Sequence, residues 1–71
     1  MSVERVFNVI LLEYTTEKMK VEATIEELVA STLKFNVKVD KLKHQIERLS
    51  KIEDGIKKIT EMIAILNNEE K

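Results

Sequence analysis

Asp40, His44 and Glu47 follow one another at spacings of four and three, and they come nearest in this chain to a metal-ligand set. On a helix such spacings place three side chains on one face. An imidazole with two carboxylates is a donor set that zinc accepts. A ligating histidine, however, needs a second group to hold its other ring nitrogen. His44 is the only histidine, no cysteine accompanies it, and the heptad described below turns this face outward. The trio therefore reads as a solvated face of mixed charge. We expect no metal and no cofactor.

Two other groupings bear on chemistry. Glu13, Glu17, Glu26 and Glu27 supply carboxylates, but acid–base catalysis needs a concave, partly dry pocket that drives two pKa values apart. No Ser/His or Lys constellation accompanies them, so no catalytic residue is assigned and an enzyme is not expected. The basic residues Lys34, Lys38, Lys41, Lys43, Arg48, Lys51, Lys57 and Lys58 suggest phosphate contacts. Nucleic-acid binders gather such residues on one face and carry positive net charge. Here they are interleaved with Asp40, Glu47, Glu53 and Asp54, and the net charge is −1. The aromatic residues Phe7, Tyr14 and Phe35 belong to the apolar stripe and are not free to stack on bases. A nucleic-acid-binding helical dimer using the 34–58 stretch is kept as the alternative reading.

The elements that carry these residues must come from a chain of 71 residues, one domain at most. A chain this short buries only about 60% of its unfolded surface, and small proteins supplement such a core with disulfides, a metal or self-association. Without cysteine and with one histidine, self-association is the route left. Charged residues make up 35% and apolar residues 44%, with one glycine and no proline. That composition belongs to long helices and coiled coils. The Ile/Lys/Glu/Asn bias is common in small bacterial and phage proteins. No secretory leader is recognised at the N-terminus, where Glu4 and Arg5 stand, and the longest apolar run falls far short of the ~20 residues of a membrane span. The expected setting is soluble and cytoplasmic, with no membrane partner.

A heptad organises most of the chain. Phe7, Tyr14, Val21, Leu28, Phe35, Leu42 and Leu49 recur at every seventh position, with Leu11, Lys18, Ile25, Thr32, Val39 and Ile46 as companions. Apolar residues alternately three and four apart form one stripe, which packs as a coiled-coil seam. Lys18 and Thr32 interrupt the stripe. Either they specify register, or Lys18 extends outward along its aliphatic stem and Thr32 lies in a turn. After Leu49 the apolar members become Ile52, Ile56, Ile59, Ile63 and Leu66, a slip equivalent to a three-residue stammer. Gly55 lies beside it, and Ser50 with Glu53 makes a capping box, so a kink or helix restart is expected near 50–55.

Residues 31–40 form a second weak point, since Ser31, Thr32, Asn36, Val37, Val39 and Asp40 are mediocre helix formers. Leu33, Phe35, Val37 and Val39 also alternate as a strand would, and the N-terminal VFNVILL has strand character. Thr15 and Thr16 mark a weaker candidate break. Charge divides the chain as well. Residues 1–33 carry three basic and six acidic groups, residues 34–58 eight basic and four acidic, and residues 59–71 sum to −2. Opposite signs favour antiparallel pairing of the two halves.

The fold class expected is all-α, with long amphipathic helices forming a helical hairpin or coiled coil in a homo-oligomeric bundle. A hairpin has helix A at about 2–30, a weak point at 31–38 and helix B at about 39–67. A rod kinked near Gly55 and a form with paired strands are the other architectures. The function expected is a non-enzymatic oligomerisation or protein–protein interaction module, such as a small accessory, regulatory or inhibitor protein. Its partner is itself, as a dimer, and another protein besides. The interface is assigned to the seam: Phe7, Leu11, Tyr14, Val21, Ile25, Leu28, Phe35, Val39, Leu42, Ile46, Leu49, Ile52, Ile56, Ile59 and Ile63.

Overall fold

The computed structural model describes residues 2–69, and within them the chain is two antiparallel helices, α1 (Val3–Ala30) and α2 (Phe35–Glu69), packed along their length as a hairpin. The molecule measures 55 × 16 × 13 Å. A helix of α2's length rises about 52 Å at 1.5 Å per residue, so α2 sets the long dimension. The rod is excluded by the turn. Both stretches with strand character are helical, apart from Leu33 and Lys34 in the connection.

The ends of α1 follow from polar side chains. Ser2 is the N-cap: its hydroxyl accepts the backbone N–H of Arg5 at 3.2 Å, and Glu4 places a carboxylate in the first turn, where the helix dipole favours it. At the other end the Ser31 hydroxyl donates to the Leu28 carbonyl at 2.6 Å. Lys38 reaches back from α2, its Nζ donating to the carbonyls of Val29 (3.2 Å) and Ser31 (2.8 Å). The last turn of a helix leaves carbonyls without partners, and this ammonium satisfies one of them while joining the helices at the turn. The connection, residues 31–34, needs no left-handed residue, and none of the described residues has a positive φ. It is shorter than expected, because Phe35–Lys38 already belong to α2.

The expected breaks are absent from the described helices. Thr15 and Thr16 lie inside α1, with hydroxyls bonded to the carbonyls of Leu11 (2.8 Å) and Leu12 (2.9 Å), four residues earlier. This local back-bonding is how helices accommodate threonine. α2 runs through Ser50, Glu53 and Gly55 as one helix. Ser50 caps nothing, and Glu53 is engaged with α1 instead.

The disappearance of the slip has a geometric cause. In α2 the residues withdrawn from solvent are Lys38, Leu42, Gln45, Leu49, Ile52, Ile56, Ile59, Ile63 and Leu66, with Gly55 beside Ile56. Their spacing alternates four and three without interruption. The stammer arises only when Val39 and Ile46 are placed in the seam. Gln45 occupies that place, and Ile46 stands 56% exposed on a flank.

Gly55 has a packing role instead. A Cβ at this position would lie 2.8 Å from Cζ and 2.9 Å from Cε1 of Tyr14, whose ring sits against the bare α2 backbone. Glycine costs a helix about 1 kcal/mol relative to alanine. The close approach of an aromatic ring from α1 offsets that cost.

Candidate interaction surface

Contact between the helices accounts for most of the seam. On α1 the side chains of Phe7, Leu11, Tyr14, Ile25 and Leu28 are half-buried and Val21 is buried, at 2% exposure. On α2, Leu42, Leu49, Ile56 and Ile63 are half-buried, and Ile52 and Ile59 are buried. These residues face the other helix of the same chain. Phe35, Val39 and Ile46 do not join them: all three are exposed, Phe35 to 83% at the first position of α2. Ile10, Gln45 and Leu66 belong to the inner face although the assigned interface omits them. Counting backwards from Ile59 by three and four reaches Gln45 directly.

The two interruptions in the α1 stripe resolve simply. Lys18 is half-buried along its stem and its Nζ meets Glu53 at 3.4 Å. Thr32 lies in the connection and is exposed.

Among the described residues two cross-helix ion pairs, one on each broad face, give the hairpin two distinguishable sides. Glu17 accepts a hydrogen bond from the Arg48 guanidinium on one side, and Lys18 meets Glu53 on the other. All four side chains are partly solvated, so each pair contributes roughly 0–1 kcal/mol. Their value here is as landmarks.

The Glu17–Arg48 side carries open clefts, some between the helices and some along α1 alone. One is lined by Thr24, Leu28, Asp40, Lys41, His44 and Gln45, and another, at the open end of the hairpin, by Val3, Phe7, Met62, Ile65 and Leu66. A third is formed by Ile10, Glu13, Tyr14 and Glu17, and Arg5, Val6, Val9 and Ile10 line a fourth. Asp40 and His44 share the first cleft with the Lys41 cation, and Glu47 does not line it. Among the described residues no group of three such side chains is placed to hold a metal ion. The Gln45 Oε1 atom is buried with no hydrogen-bond partner, an unusual state for an amide carbonyl.

The remaining surface is notable for what it exposes. Val3, Val6, Val9, Leu12, Met62 and Ile65 are exposed near the open end, and Val29, Leu33, Phe35, Val37, Val39 and Ile46 near the turn. Single exposed apolar residues are ordinary, but groups of them mark interaction surfaces. Among the described residues neither helix is long and apolar enough to cross a membrane. Comparison with protein-family models, curated proteins and solved structures finds no match for this chain.

Proposed function

We propose that the chain is a non-enzymatic interaction module that works as a self-associated pair of helical hairpins. The observation that carries this reading is the area left in water. A compact folded monomer of 8.3 kDa exposes about 4,600 Å². This chain exposes 5756 Å², an excess of about 1,200 Å² over the compact value. A specific interface of ordinary size removes about 800 Å² from each partner. The excess is therefore the amount that one further layer of packing would cover.

The thin core supports the same reading. Among the described residues three apolar side chains are buried while thirteen large ones are exposed. A second hairpin laid on the first would form a four-helix bundle, the smallest assembly of whole hairpins that gives each helix two neighbours. Whether the assembly serves as an accessory, a regulator or an inhibitor of a larger protein depends on what its outer surface binds. The nucleic-acid alternative has less behind it, since Arg48 is committed to Glu17 and Lys38 to the α1 carbonyls.

The test is solution mass by light scattering behind a sizing column over a range of concentrations. Twice the chain mass of 8.3 kDa, or a larger multiple, is the expected result. A mass of 8.3 kDa at every concentration would overturn the reading.

A further inference from the structure

We infer that the second copy sits on the side marked by Glu17 and Arg48, with the two-fold axis along the length of the hairpin, so that α1 of each copy lies against α2 of the other. This rests on the self-association proposed above and adds the face and the orientation.

The side chains on that face follow from the clefts and from the seven-residue repeat. Thr24 shares a cleft with Lys41 and His44, and Val3 shares one with Met62 and Ile65. Residues seven apart repeat one position on a seam-packed helix. On α1 this side therefore carries Val3, Ile10, Glu17 and Thr24, flanked by Val6, Glu13, Lys20 and Glu27. On α2 it carries Lys41, Arg48 and Met62, flanked by Val37, Asp40, His44, Lys51, Lys58 and Ile65. The α1 row is apolar at the open end and chiefly acidic beyond it. The α2 row is apolar at the open end and chiefly basic beyond it, with Asp40 and Val37 the exceptions near the turn.

A two-fold axis that brings this face onto itself runs either along the hairpin or across it. Levels along the molecule are set by the contacts Tyr14 with Gly55, Glu17 with Arg48 and Lys18 with Glu53. With the axis along the hairpin, each α1 residue meets the second copy's α2 at its own level. Val3 then falls near Ile65, Val6 near Met62, Glu17 near Lys51 and Glu27 near Lys41. Most of these contacts set apolar groups against apolar groups and acidic groups against basic ones, while the same levels bring Ile10 near Lys58 and Lys20 near Arg48. With the axis across the hairpin, α1 meets α1 and the ends are reversed. Val6 then falls near Glu27, Met62 near Lys41, Glu17 near its own copy and Lys51 near its own copy. That arrangement desolvates like charges together and sets apolar groups against charged ones. Either axis makes every neighbouring pair of helices antiparallel, as in an up-and-down bundle, so charge and polarity decide between them.

The chain has no cysteine, so a single Thr32→Cys substitution at the turn carries one spin label per copy. Packed helices lie 8–10 Å apart, so with the lengthwise axis two turn labels fall within about 30 Å of each other. With the crosswise axis they lie at opposite ends of a 55 Å molecule, about 50 Å apart, which overturns the orientation. Met62→Asp tests the face: it raises the dissociation constant at least about tenfold, with helicity by circular dichroism retained. Ile46→Asp, on the Lys18–Glu53 side, leaves the constant within about twofold. If Ile46→Asp dissociates the assembly and Met62→Asp does not, the face is wrong while self-association stands. If the unsubstituted chain is monomeric throughout, self-association itself fails.

Discussion

The seam of α2 has two halves of different quality. From Leu49 to Leu66 it is continuous branched aliphatic: Leu49, Ile52, Ile56, Ile59, Ile63 and Leu66, including the buried Ile52 and Ile59. From Phe35 to Gln45 the same positions hold Phe35, which is almost fully exposed, Lys38, Leu42 and Gln45. The open end is thus held by hydrophobic packing, and the turn end by the covalent connection and by Lys38 bonded to the α1 carbonyls. Tight packing is most needed where no covalent link joins the helices. At the turn, the four-residue connection already limits the entropy lost on pairing, so polar seam residues are tolerated there.

The largest effect should separate the halves directly. Ile59→Ala removes a buried side chain and should destabilise the protein by about 2–4 kcal/mol in urea unfolding at fixed protein concentration, the usual range for such truncations. Leu42→Ala removes a half-buried one from the turn half and should cost about half as much. Equal losses would mean that the two halves are equally well packed and would remove the contrast.

The contrast also explains what could be read from residues alone. From Tyr14 to Leu28 the α1 stripe is legible because its neighbours are mostly polar, whereas at Phe7 and Leu11 the apolar Val6, Ile10 and Leu12 stand alongside, and the half-buried Ile10 escapes it. The turn near residue 31 was legible from a run of poor helix formers. The α2 stripe was misplaced in its first half because Gln45 and Ile46 are adjacent and hydrophobicity alone selects Ile46. A continuous helix cannot move its buried face by one position midway, so Ile52 and Ile59 dictate Gln45. Gly55 was taken for a break because its reason lies in another helix, in the Tyr14 ring, which no pattern within α2 reports. The exposed rows at the open end were illegible for a similar reason: their role depends on which flank each helix turns outward once the hairpin is closed.

Gln45 offers a way to level the two halves. Its Oε1 is buried without a partner, and leaving such a group unsatisfied costs about 1–3 kcal/mol. Leucine has similar bulk and the apolar character of the other seam positions. Gln45→Leu should therefore stabilise the protein by about 1–2 kcal/mol, read as a higher urea midpoint with unchanged slope. A loss of stability would show that the amide is satisfied by a group from another chain, and a polar seam residue would then serve as a register pin.

The smallest effect tests the junction between the halves, where Tyr14 rests on Gly55. Two terms of opposite sign meet there. Alanine at a helical position is favoured over glycine by about 1 kcal/mol. A methyl group at Gly55, however, would lie within 3 Å of the half-buried Tyr14 ring, and over-packing of this kind costs about 1–3 kcal/mol. Gly55→Ala should destabilise the hairpin by about 1 kcal/mol, because a half-buried planar ring yields less than a flexible chain. In a Tyr14→Ala background the ring is gone and only the helix-propensity term remains. The same Gly55→Ala change should then stabilise by about 1 kcal/mol. The reversal of sign is the informative quantity, because a double-mutant cycle cancels the cost of losing the ring itself. If Gly55→Ala stabilises both backgrounds equally, the ring does not rest on the glycine, and the glycine marks a weak point in α2 after all.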